Sequence, residues 1–545
     1  MPENAEKIVK DYKRLLGERS TFESLWQTVH DYAYIEAEPI NTTSTPGTEL
    51  DFSHLYDTTS INSADILASG IANTLTPPTG KWFALKTIDQ KLMANTGVST
   101  FLQEVSEEVY YTLNRSNFYS QNTTFYKGSG VYGTAVMLSE KDPVDLIRFY
   151  DMPIRQCCLV DDARGRVQEY YLQYNYTAYQ AVTRFGEEKV SEKIRKAYRL
   201  GHSNDKYEFC LHIAPRHERD PSKDDAVNMP FKAVWVDVDD KKIMKESGFE
   251  SSPCVTHRFY TRSGSPYGYS PTMKALPNFR WLNAMAKTQM RVAMKQSDPP
   301  IALPNKAFLL PPNMNPSALN YYNANKMSKD AIFEFGNAGN FQINELMMQK
   351  KEQDIRDAMF TDVFLAFQNI TKQMTVPEVM QKVSEKMTLL GPAVQRYMGD
   401  FLAPIIQRTI AVLAEAKKLP KKIPDKLMKN PAYEIEFTSA LALAQKSSDI
   451  NSMSTALTFV QSLQPYYPEV LDKINPDEIV NEVWGITGAH AKALRGDKEV
   501  QEIRMSRAME MQALAEKQEI AENVGIAQAG SEIAKNLNSG AQGSA

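Results

Sequence analysis

Cysteine is scarce in this chain, with four residues in 545. Two of them, Cys157 and Cys158, are adjacent. The set fits neither a disulfide framework nor a tetrahedral zinc spacing, and it points to a reducing, cytosolic setting. An excess of one charge is also missing: 62 basic against 66 acidic residues leave a formal net charge of −4. No global positive field therefore advertises nucleic-acid binding, and any such contact has to be local. Nowhere do ~18 uncharged apolar residues follow one another, the length a membrane-spanning helix needs. Met1 to Leu16 carries Glu3, Glu6, Lys7, Lys10 and Asp11 in place of an apolar run, so no signal peptide is expected. The signatures H-E-x-x-H, G-x-S-x-G and those of the kinases are absent as well.

What is present is length, enough for several packed units. Ile8, Tyr12, Leu15 and Leu16 recur at helical spacing. Phe22, Leu25, Trp26, Val29 and Tyr32 repeat the pattern after Gly17, which predicts two amphipathic helices with faces to bury. After a polar loop from Pro39 to Gly47, Ile61, Ala64, Leu67, Ala68, Ile71 and Leu75 mark another helix, ended by Pro77, Pro78 and Gly80. From Val131 to Ala233 short runs of Val, Tyr, Phe and Leu broken by turn residues predict a β-rich α+β region.

Ser270 reads as an N-cap with Pro271 in the first turn. Pro277 either kinks the helix that follows or marks its true start. The pattern runs to Ser297 and stops at Asp298-Pro299-Pro300, a rod of roughly 40 Å. After an irregular Pro- and Asn-rich stretch from Pro299 to Asn344, a second rod of roughly 40 Å is predicted from Asn344 to about Ile370. The outline is a helical hairpin with a small domain at its tip. Thr375-Val376-Pro377-Glu378 reads as a capping box that opens a new helix, interrupted at Gly391-Pro392 and ending near Leu419-Pro420. Tyr433 to Phe437 reads as a strand, and most of the rest as helix. Ser539 to Ala545 cannot bury enough apolar surface to order itself.

Several residue groups are candidates for chemistry. Gly128-Ser129-Gly130-Val131-Tyr132-Gly133 matches G-x-G-x-x-G, yet a helix (Phe101 to about Asn114) lies upstream and a strand (Thr134 to Leu138) follows, the reverse of the dinucleotide context, so a turn is expected. Thr134 stands where a Walker A lysine would be. Cys210 and His212, with Cys254 and His257, could together offer zinc ligands but lack the usual spacing; buried cysteines and ordinary histidines are the expectation. The pairs Asp161-Asp162, Asp224-Asp225 and Asp239-Asp240 sit in turn-like settings. No catalytic, cofactor or metal residue is assigned.

The charge pattern of the first rod is more informative. No acidic residue lies between Glu250 and Asp298. At about 100° per residue, Arg280, Lys287, Arg291 and Lys295 fall within about 80° of one another, opposite Leu282, Ala286 and Ala293. This basic ridge either meets phosphates without reading sequence, or pairs with acids of the second rod such as Glu345, Glu352, Asp354 and Asp357.

Four segments in order resemble the head-to-tail connector (portal) family of short-tailed, podovirus-type bacteriophages. They are Glu18-Arg19-Ser20-Thr21-Phe22-Glu23-Ser24-Leu25-Trp26; Tyr56-Asp57-Thr58-Thr59 leading through Leu67-Ala68-Ser69-Gly70 to Leu75-Thr76-Pro77-Pro78 and Lys81-Trp82-Phe83; Tyr267-Gly268-Tyr269-Ser270-Pro271 before the rod ending in Asp298-Pro299-Pro300; and Met374-Thr375-Val376-Pro377-Glu378-Val379 followed by Leu389-Leu390-Gly391-Pro392. Val376 and Pro377 depart from the small or polar residues usual there.

The resemblance implies an α+β portal fold. Residues 1–269 would form a wing with N-terminal helices and a β-rich part, 270–297 a first stem helix, 298–343 a β-containing clip and 344–370 a second stem helix. A tunnel loop and long wing helix would follow over 371–445, a mostly helical crown or barrel over 446–537, and a flexible tail over 538–545. It also implies a dodecameric ring at one capsid vertex of the virion, assembled in the host cytoplasm, through which double-stranded DNA passes without sequence preference. The partners it implies are the packaging terminase, the major capsid and scaffolding proteins and the tail adaptor proteins, with no membrane, no cofactor and no enzyme activity. Lys372 in the tunnel loop joins Arg280, Lys287, Arg291 and Lys295 as candidates to face DNA. The rivals are a nucleotide-binding enzyme built on residues 128–133 and a monomeric adaptor that uses the Ala-rich C-terminal helix.

Overall fold

In a computed structural model the described residues are 4–42, 47, 49–88, 96–201, 204–220, 222–223, 225–297, 301–302, 333–334, 341–368, 390–420, 433–438, 453–454, 456–462, 474–480 and 499–512. The chain divides into two compact units, the first made of residues 1–84, 105–421 and 435–462, the second of 85–104, 422–434 and 463–545. In the second, Arg504 grips the Asp477 carboxylate with both terminal nitrogens, at 2.7 and 2.5 Å.

The chain is α+β. Helix α1 (Ala5–Ala33) is capped by Asn4, whose side chain accepts from the Glu6 N–H. It runs unbroken through Gly17, where a break was expected. A glycine costs a helix interior about 1 kcal/mol, and here apolar faces on both sides of it are buried: Tyr12 and Leu15 before, Trp26 and Val29 after. Helix α2 (Thr59–Leu75) follows, then strand β1 (Phe83–Thr87), helix α3 (Thr96–Arg115) and helix α4 (Phe118–Tyr132). The expected helices near 61–75 and 101–114 are thus present, the second one longer at both ends.

The region expected to be β-rich is so, but extends further. Strands β2 (Thr134–Asp142), β3 (Leu146–Met152), β4 (Cys157–Asp161) and β5 (Val167–Thr177) come first. Two short helices, α5 (Ala178–Phe185) and α6 (Glu192–Arg199), interrupt them before β6 (Lys206–Pro215), β7 (Phe231–Asp237), β8 (Lys242–Phe249) and β9 (Cys254–Arg258). β4 to β8 pair with their neighbours as a five-stranded antiparallel meander, and β3-β2-β9 form a second antiparallel sheet. The front of α1 lies on the meander: Ile8, Val9, Tyr12 and Leu15 pack with Cys158, Cys210, Tyr171, Val234, Val236 and Val238. Each fully buried side chain of this kind contributes roughly 1.5–3 kcal/mol. Tyr12 donates to Glu208 at 2.8 Å, which satisfies its hydroxyl within that layer.

The long helix α7 spans Pro271–Ser297 with Pro277 inside it, so the first expected rod is present and Pro277 is neither its start nor its end. Two-residue strands β10 (Ile301–Ala302) and β11 (Phe333–Glu334) pair antiparallel, which brings the two ends of the intervening insertion together. The second rod departs from expectation. Helix α8 (Phe341–Ala358) stops at Met359 and Phe360, and a separate helix α9 (Thr361–Gln368) follows. From Leu390, the first described residue after 368, a helix runs through Gly391 and Pro392, where an interruption was expected, and passes through π turns at Tyr397–Leu402 into α10 (Ala403–Glu415). Pro404, at the start of α10, cannot donate to the carbonyl four residues back, and the wider π turn accommodates this. Tyr433–Phe437 forms the expected strand β12. The capping box at 375–378 and the tail from 538 lie outside the described residues.

Candidate functional site

The long helix α7 carries most of the ridge, and the sequence before it explains its fixed start. Ser270 is fully buried; its hydroxyl accepts from the Met273 N–H (2.9 Å) and donates to the Val131 carbonyl (2.7 Å). The N-cap is thereby tied to the end of α4. Two residues on, the Thr272 hydroxyl donates to the Gly130 carbonyl at 2.8 Å. Gly268 donates to Thr134 Oγ1 at 2.8 Å, and Tyr269 exchanges backbone bonds with Tyr260 at 2.8 and 2.9 Å. Gly133 and Gly268 meet face to face. A Cβ on Gly133, whose φ is +77°, would lie 2.6 Å from Gly268 O, and one on Gly268 would lie 2.6 Å from Gly133 O. Only glycine lets two backbones approach this closely.

Aromatic rings close the junction. Tyr267 packs edge-on to Trp26 at 5.3 Å, and the Trp26 indole N–H donates to Tyr132 O at 3.1 Å. Beneath lies His257, its ring stacked on Tyr397 at 3.5 Å and its Nδ1 2.6 Å from Ser129 Oγ. Burial, reinforced by the Arg396 guanidinium, holds the His257 pKa well below its ordinary value, so the ring is neutral. Arg396 donates to Phe259 O at 2.6 Å and so pins the helix that leads into α10 to the end of β9.

Further along α7, Asn283 accepts from the Tyr56 N–H at 2.7 Å and donates to His54 O at 3.0 Å, while the Lys287 ammonium sits 5.1 Å over the Tyr56 ring. Arg280 and Arg291 are exposed and Lys287 half-buried. Lys295 lies in the last turn, its side chain outside the described residues, as is Lys372 altogether. Among the described residues, none of Arg280, Lys287 and Arg291 forms an ion pair with the acids of α8. Three of those acids have partners elsewhere: Lys351 takes Asp354 at 2.7 Å, Arg356 takes Glu352 at 3.4 Å, and Gln353 bonds Asp357 at 3.4 Å. Lys351 also reaches back to Asn278 of α7 at 3.3 Å, which ties the two helices together.

The glycine cluster is not the expected turn. Gly128 and Gly130 lie inside α4, and only Gly133, in the left-handed conformation, ends it. The cluster therefore presents the carbonyl end of a helix, where the −0.5 end of the macrodipole repels phosphate, and not the N–H end that a nucleotide requires. The histidines and cysteines are likewise dispersed. Cys210 belongs to the apolar layer under α1, His212 stacks on Tyr171 at 4.4 Å, and His257 belongs to the junction. Among the described residues no cluster of His, Cys, Asp and Glu could hold a metal, and no helix is long and apolar enough to cross a membrane.

Residue-by-residue reading of the sequence found the ridge but missed its anchorage. The signal was in plain view: a glycine between two tyrosines, followed by Ser-Pro, is an expensive pattern for a mere linker.

A family model described as "Bacteriophage head to tail connecting protein" matches residues 5–494. The portal protein of Salmonella phage epsilon15 is 29% identical over 539 residues, 98% of this chain and 95% of that protein. The probable portal protein of Bordetella phage BPP-1 is 27% identical over 521 residues, 94% of this chain and 93% of its own.

Proposed function

The chain belongs to the bacteriophage head to tail connecting protein family, and from that premise we propose how it works as a portal subunit. Copies close into a dodecameric ring at one capsid vertex, and double-stranded DNA passes along the axis during packaging and ejection. The observation that carries this reading is the extent of the similarity, which runs through 98% of the chain and 95% of a portal protein.

The parts then take these roles. Residues 1–269 form the wing, 270–297 and 344–370 the two stem segments, and 298–343 the clip that docks the packaging terminase. Residues 371–445 hold the tunnel loop and long wing helix, and 446–537 the crown facing the capsid interior. Major capsid and scaffolding proteins meet the wing, and tail adaptor proteins replace the terminase. The energy source is the terminase, since the family is structural. This makes the chain a virion component.

Two features support the stem reading. A pair of packed helices has little core of its own and gains one when neighbours pack along it in a ring that closes. Met290 and Met294 of α7 are 41% and 59% exposed, and Leu346 and Met347 of α8 are 66% and 49% exposed, apolar surface that such neighbours would cover. Arg280, Lys287, Arg291 and Lys295, with Lys372, would then meet phosphates without reading bases, as a conduit for any sequence demands. The test is charge reversal to Glu at Lys372, and at the four ridge positions together, in infecting phage. Packaged DNA per particle and its retention should both fall. Unchanged packaging and retention in both variants, with the ridge buried between subunits, would overturn the assignment of these residues.

A further inference from the structure

The break between α8 and α9 is a joint under strain. Phe360 has φ +56°, a left-handed conformation that bulky residues rarely adopt. No proline or glycine interrupts 341–368, and the run satisfies helical periodicity throughout, which is why the sequence predicts a single rod. The bend is held from outside. Met359 is fully buried with its sulfur 3.3 Å from the Thr272 hydroxyl, and the Phe364 ring lies so close to Gly70 that a Cβ there would overlap it. Across the bend, Gln353 Nε2 donates to Asp362 Oδ2 at 2.9 Å. In a continuous helix these two residues would stand about 13.5 Å apart along the axis and on opposite faces. Their hydrogen bond therefore exists only in the bent state. Thr361, in the first turn after the bend, is buried with its hydroxyl unpartnered among the described residues, a further cost of bending.

We propose that Phe360 is the pivot of a two-state joint: a bent state held by Met359 on Thr272 and Phe364 on Gly70, in which positions 353 and 362 meet, and a straight state in which 341–368 is one helix beside α7. Packed elements switch between discrete arrangements of this kind, and local strain is what brings the two close in free energy. The joint stands on the backbone and its contacts, independently of the channel reading.

The test uses the full-length assembled protein carrying Gln353→Cys and Asp362→Cys, cross-linked with dibromobimane, whose short span joins thiols in the bent state only. The four native cysteines are buried. Cross-linking should be efficient in this background and should fall at least fivefold on adding Phe360→Ala, which favours the straight helix. Adding Phe360→Gly should preserve it, because glycine accepts the left-handed conformation and weakens the continuous helix. Gly70→Ala, which evicts Phe364, serves as a second route to the straight state and should lower the yield alike. Equal yields in all four proteins, with unchanged circular dichroism, would overturn the two-state joint and leave a rigid bend. Loss of folding in Phe360→Ala together with a wild-type yield in Gly70→Ala would do the same.

Discussion

Replacing Gly133 by alanine measures how much the junction before the long helix depends on close backbone approach. Two costs add. An L-residue in the left-handed region costs roughly 1–2 kcal/mol. The new methyl would also lie 2.6 Å from Gly268 O and 2.6 Å from the Tyr269 carbonyl carbon, backbone atoms that no rotamer change can move away. Overpacking of this kind costs typically 1–3 kcal/mol, so the sum is about 2–5 kcal/mol. Gly165→Ala is the matched control, since Gly165 has φ +75° and a methyl added there would meet nothing within 4 Å, leaving only the conformational part. Urea titration followed by tryptophan fluorescence suits the site, because Trp26 donates to Tyr132 O beside Gly133. The expected result is that Gly133→Ala lowers the midpoint well beyond Gly165→Ala, by the equivalent of at least about 1 kcal/mol. Equal shifts for the two variants would refute the steric argument and with it the claim that the glycine pair fixes where α7 begins.

Tyr110→Phe should be costly for a different reason. The Tyr110 hydroxyl accepts from the N–H groups of Trp82 (2.7 Å) and Phe83 (2.6 Å) and donates to Phe83 O (2.8 Å), so its loss strands buried backbone groups. The expected destabilisation is about 2–4 kcal/mol by the same titration, and a change under about 0.5 kcal/mol would contradict it. Asp151 gives a pH dependence: burial raises its carboxyl from 3.8 to about 7, with the Thr124 hydroxyl opposing. The folded state therefore holds a proton the unfolded chain has released. Stability from this group is full below about pH 4 and is lost as pH rises through 7, on the order of 4 kcal/mol at most. Asp151→Asn should flatten that decline between pH 5 and 8; an unchanged slope would show that Asp151 is ionised in the fold.

The helices were legible where one face is buried and the caps are local. Ser270-Pro271 announces the start of α7, and the capping reading holds down to the Met273 N–H. Long-range packing overrode local signals elsewhere. Gly17 does not break α1, because apolar residues on both sides of it are buried in the core. Phe360 does break the second rod, although nothing in its neighbours' propensities asks for it, because Thr272 and Gly70, far away in sequence, hold Met359 and Phe364. The glycines at 128 and 130 looked like a loop, yet they sit in α4 where Leu67 of α2 approaches Gly130 to within 2.8 Å of a Cβ position. Glycine there serves helix packing, which a pattern of spacings does not distinguish from a turn. The ridge itself was readable, since charge periodicity on one helix is local information. Its anchorage was not, because Val131, Gly130 and Tyr56, which hold Ser270, Thr272 and Asn283, lie between 139 and 227 residues away from them.

The proposed function requires that the chain close into a ring with a passage at its axis. Native mass spectrometry of the purified protein, with negative-stain microscopy of the same sample, tests it most directly. The predicted result is a closed ring of about twelve subunits with an axial hole. A stable monomer or dimer at micromolar concentration would contradict it.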